Sequence, residues 1–119
     1  MAKKVLIVDD DPVVVRYLTQ VLEDNGYETC SAEDGVKAHE VLEQETPDLI
    51  SLDLEMPDEW GTKFYRRMSK DPRFKEIPVI VVSGMAGRHL SIKKAAAFLS
   101  KPFDPDKLIA AVRKTIGDP

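Results

Sequence analysis

At 119 residues, 43% hydrophobic and 32% charged, the chain has the size and make-up of one soluble globular domain spanning 1–119, which excludes two domains or a disordered tract. A formal net charge of −4 argues against a general nucleic-acid binder. No apolar run approaches the ~20 residues that cross a bilayer, and MAKKVLIV lacks the length and cleavage site of a signal peptide. Cys30 is the one cysteine, so no internal disulfide is available and a reducing, cytoplasmic setting is expected, with no membrane partner.

The first element ends in a conflict. Val5–Val8 is apolar, β-branched and too short for a helix, so it reads as a buried strand. It runs directly into Asp9, Asp10 and Asp11. Carboxylates about 4 Å apart repel by roughly 4 kcal/mol at the effective dielectric of a protein surface, so such a cluster calls for a cation. Asp11-Pro12 then supplies an N-cap oxygen and a proline at the first helical position, where its missing N–H costs nothing.

Val14, Leu18, Val21 and Leu22 form a helical stripe that closes near Gly26, a residue suited to a C-cap. Glu28–Ser31 is a weaker strand. Ala38, Val41 and Leu42 mark a second helix, with His39 expected on its exposed face. Leu49–Leu52 is a third strand, leading into Asp53. Trp60, in a loop beside Asp53, reads equally as a packing residue or a partner contact. Phe64, Arg67 and Met68 suggest a third helix. After a long connection at Lys70–Ile77 come strands at Val79–Val82 and Ala97–Leu99. Asp104-Pro105 then opens a last helix, striped by Leu108, Ala111, Val112 and Ile116 and closed by Gly117. His89 has no motif-spaced ligands, so zinc is expected at neither histidine, and Arg88, Lys93 and Lys94 read as a solvated face.

Strands alternating with helices imply an α/β domain with a parallel sheet covered on both faces. Right-handed crossovers carry the carboxyl ends of all its strands to one edge. Asp9 and Asp10 follow the first strand, Asp53 the third, Ser83 the fourth and Lys101 the fifth. If the strand order reverses between the first and third, the three aspartates share one crevice. Three carboxylates suit a hard dication with oxygen ligands, and Mg2+ fits best because it keeps waters and phosphate oxygens in its shell. Lys101 adds a point charge for an anion and Ser83 a hydroxyl. Together these describe a phosphoryl-transfer site with Asp53 as nucleophile.

Asp9-Asp10, Leu52-Asp-Leu-Glu-Met-Pro57 with Gly61, Pro78-Val-Ile-Val-Val-Ser-Gly84 and Lys101-Pro-Phe103 closely resemble the receiver domain of two-component response regulators, in order and spacing along the whole chain. The resemblance implies a flavodoxin-like (βα)5 fold with sheet order 2-1-3-4-5. It makes Asp53 the phosphoacceptor for a phosphohistidine on a sensor histidine kinase or histidine phosphotransfer protein. It makes Asp10 a direct Mg2+ ligand beside Asp53 and the backbone carbonyl of Glu55, with Asp9 acting mainly through water. Ser83 and Lys101 would bind the phosphoryl group, Phe98 would be the aromatic switch, and the Lys101–Pro102 bond would be cis. The Glu55 and Met85 positions would modulate phosphoryl lifetime. Loop movement after the fourth and fifth strands would alter an output surface for a downstream effector that the sequence does not name.

From Ser83 to Lys101 is 18 positions, about four fewer than the common receiver pattern, or roughly one helical turn (~6 Å). A short or irregular fourth helix is therefore expected, which bears on output and leaves homodimerisation open. Two other readings compete. One is a pseudo-receiver binding scaffold. The other is a Mg2+-dependent phosphatase, since Asp53-Leu-Glu55 is superficially similar to the Asp-x-Asp of haloacid-dehalogenase-type enzymes; those carry the motif on the first strand of a longer chain. A flavodoxin-type flavin binder fails because Asp9–Asp11 would repel a phosphate. The expected protein is a phosphoacceptor with at most slow self-catalysed chemistry.

Overall fold

The structure, a computed structural model, describes residues 2–55, 60–83, 95–101 and 104–119, with the side chains of Trp60 and Ser83 outside that description. Its elements in chain order are β1 (Lys4–Val8), α1 (Pro12–Asp24), β2 (Glu28–Ala32), α2 (Gly35–Glu45), β3 (Leu49–Asp53), α3 (Trp60–Ser69), β4 (Val79–Ser83), β5 (Ala97–Ser100) and α4 (Pro105–Ile116). The expectations placed on the fourth crossover helix, Met85, Arg88, His89, Lys93, Lys94 and the Lys101–Pro102 bond lie outside the described residues.

All five strands are parallel, in the order β2-β1-β3-β4-β5. Each expected strand is found, extended by one residue at one end, because pairing with a neighbour continues past the apolar run. Val8 sits opposite both Ala32 and Leu52, and Asp53 opposite Val82.

The pleat sorts side chains to two faces. Val5, Ile7, Leu49, Ile80 and Val82 pack with Leu18 and Leu22 of α1 and Leu108, Ile109 and Val112 of α4. Leu6, Val8, Ile50, Leu52, Val79 and Val81 pack with Ala38 and Leu42 of α2 and Phe64 and Met68 of α3. Burying each such side chain contributes roughly 1.5–3 kcal/mol. With both faces covered, the central strands can be apolar at successive positions, as Val5–Val8 is.

Helix starts are fixed by aspartates. Asp11 accepts a hydrogen bond from Val13 N–H (2.9 Å) and Asp104 one from Asp106 N–H (2.8 Å), each with proline at the first helical position. Asp34, which the sequence reading passed over, caps α2 through Lys37 N–H (2.8 Å). The helix α1 ends at Asn25, one residue before Gly26, which takes φ +91° where a side chain would be strained. The last turn of α4 is tied down by the Tyr27 hydroxyl, which donates to Gly117 C=O (2.7 Å), and by the Lys3 ammonium, which donates to Ile116 C=O.

Two expectations are corrected. His39 is 7% exposed, set edge-on against Phe64 and Phe74 with centroids 6.3 Å away in each case. The helix α2 touches α3 as well as the sheet, so its buried stripe is wider than the sheet-facing positions Ala38 and Leu42. Burial pushes the His39 pKa down, with nearby Arg67 adding to the effect. Arg67, placed by its spacing in the third stripe, is exposed, while Phe64 and Met68 are buried.

Gly61, in the first turn of α3, lies against the end of β3. A Cβ there would sit 2.4 Å from the Asp53 carbonyl oxygen and 3.2 Å from Leu54 Cα. Glycine to alanine within a helix ordinarily gains up to ~1 kcal/mol. Here the clash is with backbone, so Gly61→Ala is expected to cost about 1–3 kcal/mol instead, read as a lower urea midpoint at unchanged slope.

Candidate functional site: an acidic crevice at the sheet edge

Four of the residues singled out in the sequence meet at the carboxyl edge. Asp9 and Asp10 follow β1, Asp53 ends β3 and Lys101 follows β5. The alternation that sends Val5 and Ile7 to the α1/α4 face continues to Asp9. The same holds from Leu49 through Ser51 to Asp53, and from Ala97 through Leu99 to Lys101. Shared parity on three strands therefore puts the three functional groups on one side of the sheet. Lys101 Nζ donates to Asp9 Oδ2 at 3.1 Å and lies 3.6 Å from Asp53 Oδ1.

The carboxylates are held by backbone. Asp11 N–H donates to Asp9 Oδ1 and Glu55 N–H to Asp53 Oδ1, both at 2.9 Å. Asp9 and Asp53 are 2% and 3% exposed, whereas Asp10 is exposed. Ligand oxygens of Asp9, Asp10 and Asp53 lie within 4.8 Å of one another. If all are ionised, each pair repels by roughly 3 kcal/mol at an effective dielectric of 20. A compact, all-oxygen group with that repulsion fits a small hard dication.

The electrostatics bear the same mark. Burial pushes the Asp53 pKa from 3.8 up to about 6. The Asp9 charge adds to the rise, while the Glu55 N–H and Lys101 oppose it. For Lys101, burial works against protonation, but the charges of Asp53 and Asp9 outweigh it and the net shift is upward.

Beside the aspartates, a cavity of about 310 Å³ opens between the β1–α1 loop and the β2–α2 loop. It is lined by Asp9, Asp10, Pro12, Val15, Ser31, Ala32, Glu33 and Lys37. Lys37 was not foreseen, although it follows the end of β2 by five positions and that end meets the same edge. Glu55 directly follows the buried Leu54, with its N–H on Asp53. Ser83 ends β4 opposite Ser100, and Phe98, opposite Val81, is 43% exposed. Gly61 is the other residue whose role was not foreseen; only its closeness to the Asp53 carbonyl reveals it.

An open parallel α/β sheet of order 2-1-3-4-5, with an acidic crevice and a lysine at its strand-order reversal, defines a domain of flavodoxin-like form with its candidate ligand site at the carboxyl edge. The family model for the response regulator receiver domain matches residues 5–113, and the chain belongs to that family. It is 34% identical over 116 residues to Protein Rrf1 of Nitratidesulfovibrio vulgaris, covering 98% of this chain and 84% of that one. It is 36% identical over 116 residues to the response regulator Rre1 of Synechocystis, covering 93% of this chain but only 50% of that longer protein. A crystal structure of a CheY-like receiver domain protein from Methanospirillum hungatei superposes with TM-score 0.88 at 28% identity, covering 98% of this chain and 94% of that one.

Receiver domains are signalling modules rather than classical enzymes and bind Mg2+ at an acidic pocket; here Asp9, Asp10 and Asp53 form a group that could hold a metal ion. Among the described residues, no helix is long and apolar enough to cross a membrane.

The raised Asp53 pKa has a defined consequence for stability. Below pH 3.8 the carboxyl is protonated in both folded and unfolded chains and costs nothing. Between 3.8 and about 6 the unfolded chain ionises first, so stability falls as pH rises, and above about 6 the loss is complete. In chelator at neutral pH, Asp53→Asn is therefore expected to be more stable than wild type by roughly 2 kcal/mol in urea unfolding. The gap should close as the pH is lowered to about 4.

Proposed function

We propose that this chain, 1–119, works as one phosphorylation-switched receiver that accepts a phosphoryl group on Asp53 from a histidine kinase or histidine phosphotransfer protein. The observation that carries the reading is the Asp53 carboxylate with Lys101 Nζ 3.6 Å away and Asp9 and Asp10 within ligand reach.

In this reading Asp53 is ionised at neutral pH, since its pKa lies near 6. One carboxylate oxygen is held by Glu55 N–H, leaving the other to attack phosphorus. The O–P bond forms as the P–N bond to the donor imidazole breaks, and the electron pair returns to the ring nitrogen. In this reading Lys101 moves its attraction from Asp9 to the incoming phosphoryl oxygens, a role its closeness to both Asp9 and Asp53 supports. The hydroxyl of Ser83, ending the neighbouring strand, is assigned to the same group. Mg2+, when bound, would neutralise charge on the transferring group.

We assign its protein ligands to Asp10, Asp53 and the Glu55 carbonyl. Both oxygens of Asp9 already accept hydrogen bonds, which supports an indirect role for Asp9 and a direct one for the exposed Asp10. Phe98, half exposed on β5 and three residues from Lys101, is the assigned reporter of Ser83 and Lys101 movement to a downstream effector.

Incubation with a small-molecule phosphodonor and Mg2+ should add one phosphoryl mass, with none in Asp53→Asn. Chelating the metal is expected to slow the gain by roughly a hundredfold. An unmodified mass in the wild-type protein would leave the scaffold reading standing in its place.

A further inference from the structure

Between α2 and α3 lies a cavity of about 200 Å³ lined by Gly35, Val36, His39, Lys63, Phe64 and Arg67, none of which belongs to the acidic crevice. Its walls are carbon-rich. Phe64 is buried, the His39 ring stands edge-on to it, and Val36, on the α2 side, is 52% exposed. His39 Nδ1 is buried with no hydrogen-bond partner among the described residues. Lys63 and Arg67 flank the cavity one helical turn apart, and both are exposed.

The charge pattern is distinctive. WGTKFYRRMS, the whole of α3, carries Lys63, Arg66 and Arg67 and no acid, in a chain whose net charge is −4. Lys63 and Arg67 give the cleft a positive rim on its α3 side.

We propose that the α2–α3 cleft is a docking site for an acidic, apolar segment of a partner protein. An aliphatic side chain rests on Val36 and Phe64 while flanking carboxylates meet Lys63 and Arg67. Free phosphate fits less well, because it would leave the apolar surface of Val36 and Phe64 without a partner. A second copy of this chain fits less well too, because a two-fold contact through the cleft would bring the same cations face to face. The proposal concerns a surface remote from Asp53 and does not depend on phosphoryl transfer.

The test is NMR of the full chain with a synthetic nonapeptide of alternating leucine and glutamate, beside a control with glutamine in place of glutamate. Amide shifts confined to residues 35–39 and 63–67 are expected. The control, Lys63→Glu and Arg67→Glu should each weaken binding about tenfold while thermal unfolding stays unchanged. Three results would overturn the proposal: no shifts or shifts centred on the acidic crevice, equal binding by the glutamine control or the charge-reversed variants, or the same shifts from inorganic phosphate alone. Because both variants leave the crevice untouched, their response to a phosphodonor stays that of wild type even if docking is absent.

Discussion

An ammonium group set among carboxylates is the constraint that organises this domain. Lys101 reaches Asp9 and Asp53, residues from two other strands, only because all three follow strands that end at the same edge and share one pleat parity. Burial alone favours a neutral Asp53 and works against the charge on Lys101. Their mutual attraction keeps Lys101 charged, and the Glu55 N–H and Lys101 hold back the rise at Asp53. Negative charge still exceeds positive there, an imbalance that a cation would relieve.

The rest of the molecule supports that site. Two apolar clusters, one on each face of the sheet, fix the strands in register. Backbone N–H groups of Asp11 and Glu55 orient the acids, and the missing side chain of Gly61 lets α3 seat directly on the end of β3. A buried carboxylate held in this way keeps one orientation, at some expense of stability.

The fold was legible because its signals are local. Strand runs such as Val5–Val8 and Val79–Val82, and the Asp-Pro helix starts at 11 and 104, depend on nearest neighbours along the chain, and all reappear within a residue. The crevice was legible for a different reason: parallel topology sends every strand end to one edge, so residues far apart in the chain could be grouped without coordinates. His39 and Arg67 were misread because their environment is set by contact between two helices. Helical spacing marks a stripe but not how many neighbours share it. Asp34 was missed because a cap without a following proline leaves a fainter trace.

The sequence by itself determined where the strands and helices run, which apolar stripes face the core, and that Asp9, Asp10, Asp53 and Lys101 collect at one edge of the sheet. Those are consequences of period, burial and handed connection. Tertiary structure alone decided that Lys101 spans Asp9 and Asp53, that burial lifts the Asp53 pKa, that Gly61 abuts the Asp53 carbonyl, and that α2 and α3 leave a cationic cleft between them. Each of these depends on distances of a few ångströms between elements remote in sequence. Such distances follow from how whole surfaces pack, and no window along the chain encodes them.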